Sequence, residues 1–328
     1  MIRSLRTWAL CLLTAAASFG MAAGARAQEG YPTHPVKLIA PIAPGGLTDA
    51  LARVLATALG ERLGQPVVVD NRAGAGGIIG MTAAAKSAPD GYTLVIVYQG
   101  IASVNPVLRK DLPYDTLRDF APLGLSGGFP LALVTKADLP VKSVEDLMRL
   151  ARSQPGRLSY ASAGAATTSH LAMELFKSQT GLDIVHVPYR GEAPALNDVL
   201  AGQVDVEFTS LSSVLPHLDN PRLRVLAVST ASRSKLTPGI PTVAESGVPG
   251  FQVTGWYGLM APAGTSAAII DRLNRELVAV LGDAAMRERL QAMGLEAFSS
   301  SPQEMRTFIT EDMARWRKVI AESGIKVE

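Results

Sequence analysis

Short apolar runs alternate with longer amphipathic segments along most of the chain. The runs "VKLIA" (36–40), "PVVVD" (66–70), "TLVIV" (93–97), "LALVT" (131–135), "LSYAS" (158–162), "IVHVPY" (184–189), "VDVEF" (204–208) and "RVLAVS" (224–229) read as strands. Between them, 47–63, 76–87, 143–153, 169–180 and 192–201 place apolar residues at three- and four-residue spacing, the period of a helix with one buried face. Near-continuous apolar strands joined by helical crossovers predict α/β architecture, with parallel sheet covered on both faces. Two more helices, 267–293 and 302–321, follow the last strand-like stretch. Ser143 with Asp146, and Ser301-Pro302 with Glu304, have the spacing of capping boxes and mark helix starts.

The chain has 328 residues, enough for two such domains rather than one. The crossings between them are expected where strands are flanked by turn residues, at "GGFPLALVTK" (127–136) and "FQVTGWYGLMAPAGT" (251–265). The terminal helices would then return to the first domain. There is no internal repeat and no low-complexity tract.

The first 27 residues change the compartment. Arg3 and Arg6 precede an apolar core that ends at Ala25-Arg26-Ala27, the pattern of a cleaved secretory signal, so the mature chain is expected to begin near Gln28 in the periplasm. No later run offers the roughly 18–20 uninterrupted apolar residues of a membrane span, which predicts a soluble mature protein. The single cysteine, Cys11, lies inside the signal, and an exported domain of this size does not need disulfides. Removing Arg3, Arg6 and Arg26 leaves 28 basic against 29 acidic residues with no basic run, which argues against nucleic acid or an anionic membrane as partner.

Enzyme signatures fail on context. "GLSGG" (124–128) fits G-x-S-x-G, but Phe129-Pro130 and a strand follow Ser126 where a nucleophile elbow needs a helix. "GAGGII" (74–79) follows a strand but has Ile79 where a dinucleotide fingerprint needs its third glycine, and no G-K-[ST] occurs. His170 and Glu174 share a helical face without a third metal ligand nearby, and His34, His186 and His217 are scattered. A secreted hydrolase therefore lacks a nucleophile and base pair.

What remains is a series of small-residue loops at the carboxyl ends of predicted strands: "APGGLTD" (43–49), "NRAGAGG" (71–77), "YQGIASVN" (98–105), "ASAGAATTSH" (161–170) and "PYRGEAPAL" (188–196). Ligands of open α/β sheets bind in that crevice. The turn before 47–63 is a ready anion site, because the first helical N–H groups are unpaired and the helix dipole is positive there. Asp49 in the first turn would repel an anion if it faced the pocket, so it is expected to bond its own loop as scaffold.

These loops, with "VPYRGEAPALNDVLAGQVDVEF", "PTVAESGVPGF" and "GWYGLMAPAGT", resemble the periplasmic solute receptors of tripartite tricarboxylate transporters, the Bug proteins, over nearly the whole mature chain. The resemblance implies a two-lobed Venus flytrap of type II-like form, with two mostly parallel sheets flanked by helices. Lobe 1 would be 28–132 plus 255–328, and lobe 2 would be 133–254. It implies a small carboxylate ligand, whether mono-, di- or tricarboxylate or acidic amino acid, and no cofactor, metal or catalytic residue. In the first lobe Ala43, Pro44, Gly45, Gly46, Leu47 and Thr48 would hold a carboxylate, and Ser103 and Asn105 would line the wall. In the second lobe Ser162, Gly164, Ala165, Thr167, Thr168, Arg190, Gly191 and Asp205 would close over the far end, with Arg190 suited to a second carboxylate. Trp256 and Tyr257 would belong to the pocket wall or hinge. The implied partners are the permease subunits of a tripartite transporter or, alternatively, a two-component sensor kinase. The chain departs from the family pattern at Ala166-Thr167-Thr168 and at Thr209-Ser210, both in the second lobe.

Overall fold

The computed structural model of the protein describes residues 30–164, 167–189 and 191–323, so the signal expected over 1–27 lies outside the described residues. Strands β1 (Val36–Ala40), β2 (Val67–Asn71) and β3 (Thr93–Tyr98) pair in parallel in the order β2-β1-β3, connected through α1 (Leu47–Leu63) and α2 (Ile78–Ala85). β1 and β3 are apolar apart from the exposed Lys37 and the first residue of β3, Thr93, because helices cover both faces. Leu38 and Ile96 pack with Leu51, Leu55 and Leu59 of α1, while Ile39 and Val95 pack with Met81 of α2 on the opposite side. The predicted span 47–63 coincides with α1, which Gly64 ends in the left-handed conformation at φ 72°.

One strand of 17 residues, β4 (Phe120–Lys136), carries the chain between the two halves of the sheet. Phe120–Pro130 pairs antiparallel with β9 (Thr254–Pro262), whereas Leu131–Lys136 pairs antiparallel with β7 (Val206–Ser210) and β8 (Leu223–Val228). Patterning marked only 131–135, because "APLGLSGG" reads as turn. Its glycines answer to close packing instead. A Cβ on Gly124, Gly127 or Gly128 would come within 2.8 Å of the Ser300 carbonyl, 2.8 Å of the Glu296 carbonyl and 2.4 Å of the Gly255 carbonyl, respectively.

The second half adds β5 (Ser159–Ser162) and β6 (Val185–Pro188), parallel to each other, with β5 also parallel to β7. Helices α3 (Val144–Ser153), α4 (Thr168–Thr180) and α5 (Glu192–Leu200) flank it. Phe176, Phe208 and Phe251 fill one face, and Ala161, Val199 and Val228 fill the other. Parallel pairing is thus confined to β1–β3 and β5–β7, and the linking strands β4 and β9 run antiparallel, so each half-sheet is mixed. Val253 N–H donates to the Ser229 carbonyl in the second half at 2.9 Å, and the next residue, Thr254, pairs with Pro130. Both changes of partner fall inside the stretches 127–136 and 251–265.

The predicted helix 267–293 is two helices, α6 (Ala267–Gly282) and α7 (Ala284–Ala292). Asp283 between them is extended at φ −70°, ψ 137° and caps α7 by accepting from Met286 N–H at 3.0 Å. The final helix, α8 (Pro302–Ser323), begins with the expected reciprocal cap: Glu304 N–H donates to Ser301 Oγ at 3.2 Å, and Ser301 N–H to Glu304 Oε2 at 2.7 Å. It does not sit on the first half alone. Met305 and Ile309 pack with Trp256, whereas Trp316 and Val319 join Leu171 and Phe176 in the core of the second half, so α8 braces both.

Candidate binding cleft

β1, β2 and β3 run in one direction and end in the 41–48 loop, the 72–77 loop and Tyr98; β5, β6 and β7 end in the 163–167 loop, the 189–191 loop and Ser210. In the first group Ala43, Pro44, Gly45 and Gly46 are exposed, and Leu47 and Thr48 are half-buried. Gly45 has φ +99°, a conformation that favours glycine. Gly46 is the first flanking residue of α1 and offers no side-chain cap, so the N–H groups of Leu47, Thr48 and Asp49 lack an intrahelical partner.

Asp49 is 4% exposed and turned into its own loop. Its Oδ2 accepts from Gly45 N–H at 2.9 Å and Arg53 Nε at 3.0 Å, and its Oδ1 accepts from Asn71 Nδ2 at 2.9 Å. The Arg53 guanidinium first, then the Gly45 and Asn71 donors, hold its carboxyl down at about 2. One carboxylate thereby ties the loop after β1 to the end of β2. The second loop approaches closely: Gly77 has φ +95°, and a Cβ there would stand 2.6 Å from Ile101 and 3.1 Å from the Tyr98 hydroxyl. Asn105 Nδ2 reaches the Gly76 carbonyl of that loop at 3.5 Å.

The wall beside these loops is aromatic. Thr48 Oγ1 donates to the Tyr257 hydroxyl at 3.3 Å, and Tyr257 is the register partner of Tyr98. Burial pushes the Tyr98 phenol up to about 12, with Tyr257 adding to the shift. Successive residues of β9 alternate faces, so Trp256 lies on the other side, where its Nε1 donates to Asp312 of α8 at 3.0 Å. Ser103 belongs there too. It is 0% exposed and lies beside the Asp312 carboxyl, which burial raises, so it supports the wall from behind rather than lining the opening.

In the second half Ser162 is fully buried, with Oγ 2.7 Å from His186 Nε2 and accepting from Gly164 N–H at 3.2 Å. His186 stacks on His170 at 4.1 Å and on Tyr160 at 4.7 Å; burial lowers both histidines, His170 to about 4. Thr167 Oγ1 donates to the Gly164 carbonyl at 2.7 Å, and Thr168 is the first residue of α4. Tyr189 N–H donates to Ser162 at 3.0 Å and Gly191 N–H to Ala163 at 3.1 Å, which joins the two loops. Ala165 and Arg190 lie outside the described residues. α4 and α5 start at Thr167 and Gly191 with no side-chain cap, as α1 does, whereas Ser143, Asp283 and Ser301 cap α3, α7 and α8.

Asp205 is corrected. It precedes β7, at the end of the sheet opposite the 163–167 loop, and its carboxylate is spent there. Oδ1 pairs with Lys136 Nζ at 2.9 Å, and Oδ2 accepts from Ser159 N–H at 2.8 Å and Ser159 Oγ at 3.1 Å. The carboxyl end of β7 instead presents Thr209 and Ser210, and a carboxylate that sequence reasoning did not single out meets them. Glu192 Oε1 accepts from Thr209 Oγ1 at 2.8 Å, from Ser210 N–H at 2.6 Å and from Ser210 Oγ. Burial raises the Tyr257 phenol, Thr48 opposes this, and the charge of Glu192 adds to the rise, which puts Glu192 within electrostatic reach of the first wall. A signal was present in the sequence: an acid directly after glycine at a helix start, where the dipole favours it.

Other chemistry is thin. No group of three metal-ligating side chains occurs among the described residues, and no described helix is long and apolar enough to cross a membrane. A cavity of about 380 Å³ lined by Val54, Thr57, Glu61, Met286 and Arg289 lies between α1 and α6–α7, away from the strand ends.

Residues 51–325 match the family model described as "Tripartite tricarboxylate transporter family receptor". The chain is 40% identical to Protein BugT of Bordetella pertussis over 313 residues, covering 95% of this chain and 96% of that one. Among solved structures it superposes on Rhodopseudomonas palustris Rpa4515 with adipate at TM-score 0.78 and 39% identity, covering 90% of this chain and 99% of that one. It also superposes on MatC (Rpa3494) of Rhodopseudomonas palustris with bound malate at TM-score 0.73 and 31% identity, covering 88% and 100%. The two halves of the sheet are thus the lobes of a periplasmic-binding-protein fold. The chain belongs to the tripartite tricarboxylate transporter receptor family, a family of solute-binding receptors rather than enzymes.

Proposed function

We propose that this receptor captures a small organic carboxylate in the periplasm, between the 43–48 loop and the loops of the second lobe, and delivers it to the permease subunits of a tripartite transporter. The observation that carries the reading is the start of α1. Three N–H groups lack intrahelical partners, Gly45 and Gly46 leave the backbone open, and the nearest carboxylate, Asp49, is occupied by Gly45, Arg53 and Asn71. The adipate and malate complexes of family members support the ligand class.

Magnitudes favour a site shared between lobes. Micromolar affinity needs about −8 kcal/mol. A helix dipole supplies about 0.3–2 kcal/mol and a charge-assisted hydrogen bond about 1.5–3 kcal/mol net. One loop falls short once the entropy of association is counted. Contacts from both lobes reach the figure, and they make closure depend on the ligand, which shifts the open and closed populations by its differential affinity. The test is a thermal-unfolding panel of mono-, di- and tricarboxylates on ligand-stripped protein, with mass spectrometry of any retained ligand. A rise in Tm with one or more acids is expected. A panel without any shift would contradict the reading.

A further inference from the structure

Along β4, Gly127 pairs with Tyr257, the partner of Tyr98, and Leu131 pairs with Ser210, so the carboxyl ends of β3 and β7 face each other, and on the second-lobe side that end carries negative charge. Glu192 stands at the first position of α5, half-buried, with Thr209 Oγ1, Ser210 N–H and Ser210 Oγ all converging on Oε1. These three donors fix where the carboxylate stands. An ionised carboxylate only accepts hydrogen bonds, so whatever meets it from the cleft must donate. Behind it, on the same face of β7 as Thr209, Glu207 is 0% exposed, and neither carboxyl oxygen has a hydrogen-bond partner among the described residues. Burial first, then the neighbouring charge of Glu192, push the Glu207 carboxyl up to about 9. A second ligand carboxylate brought here would face the fixed charge of Glu192, in a place where low dielectric strengthens the repulsion, while Glu207 behind it keeps its proton at neutral pH.

We infer that the far end of the ligand is a hydrogen-bond donor, best a cationic amine, and that Glu192 selects a carboxylate bearing such a group over the dicarboxylate of equal length. The inference rests on the carboxylate reading above: the first lobe takes the anionic end and Glu192 reads the other. It departs from the expectation that Arg190 receives a second carboxylate.

The experiment is calorimetric titration of the purified receptor with matched probes: 4-aminobutanoate, succinate and butanoate at four carbons, and 6-aminohexanoate, adipate and hexanoate at six. The wild type is expected to bind the amino acid of at least one length about tenfold or more tighter than the diacid of that length. In Glu192→Gln, which keeps an acceptor for Thr209 and Ser210, that ratio should fall to about threefold or less while the diacid gains affinity. A purely structural role for Glu192 would weaken all probes alike. Tighter binding of the diacid by the wild type, or equal losses for amine and diacid in Glu192→Gln, overturns the inference and returns the far end to a cation such as Arg190. If that variant does not fold, the wild-type ratio still decides. If no probe and no other carboxylate binds, the proposed function falls and this inference with it.

Discussion

The two lobes solve their half of the cleft in different ways. The first is built from backbone: Gly45 and Gly46 carry no side chain into the opening, α1 begins uncapped, and the one acid nearby is consumed by its own loop. The second is built from side chains: Glu192, Thr209 and Ser210 form a hydrogen-bonded set at the carboxyl end of β7. On the proposed reading, backbone donors would recognise the carboxylate that a ligand class shares, and the second lobe's side chains would read what else the ligand carries. Class should therefore follow from the first lobe and identity from the second.

The contrast breaks most sharply at Gly46. Its φ of −89° suits any residue, and a Cβ would meet nothing within 4 Å, so Gly46→Val should fold with only a small loss of Tm, valine being a poorer helix N-cap than glycine. On the proposed reading valine would nevertheless stand where the ligand approaches, and affinity should fall by about 100-fold or more in titration, the loss of several charge-assisted bonds.

Asp49→Asn probes the brace. It should lower stability by about 1–3 kcal/mol in denaturant titration and affinity by about tenfold, because the loop loses a charged acceptor. The pH dependence has a definite sign. The folded carboxyl lies at about 2, below its ordinary 3.8. Its contribution is therefore present above about pH 4 and lost as pH falls toward 2, and Asp49→Asn should flatten that acid limb.

Glu207 tests the second lobe. Replacing a buried carboxyl that makes no hydrogen bond among the described residues, Glu207→Met should raise stability by about 1–3 kcal/mol at pH 7. The folded group titrates at about 9 against an ordinary 4.5, so the folded state binds the extra proton between those values. Wild-type stability should fall as pH rises through that window, and the gain from Glu207→Met should grow. The smallest effect belongs to Asp205→Asn, which should cost about 1 kcal/mol of stability at the Lys136 and Ser159 contacts and change affinity by less than about twofold.

Helix and strand identity was legible because periodicity survives without tertiary context: α1 ends where Gly46 and Gly64 stand. Three features were not. β4 was shortened because Gly124, Gly127 and Gly128 read as turn, although crowding by neighbouring carbonyls is what requires them. Sequence alone puts Asp205 in the cleft because it does not say which end of a short strand faces that opening. The parallel register Tyr160 with Val206 settles that, setting Asp205 beside Ser159 and Ser210 at the opposite end. Glu192 was passed over because a single acid at a helix start looks like ordinary dipole complementarity until Thr209 and Ser210 are brought to it. The loops of the first lobe were easier to see, since their glycines and proline are contiguous in the chain.

The central claim is that the first lobe recognises a carboxylate through backbone N–H groups. Its most direct measurement is calorimetric titration of wild type and Gly46→Val with the best-binding acid of the panel and with that acid's primary amide. The account predicts that wild type binds the acid about 100-fold or more tighter than the amide, and that Gly46→Val, folded and nearly as stable, binds neither. Equal affinity for acid and amide, or retained acid binding in Gly46→Val, would contradict it.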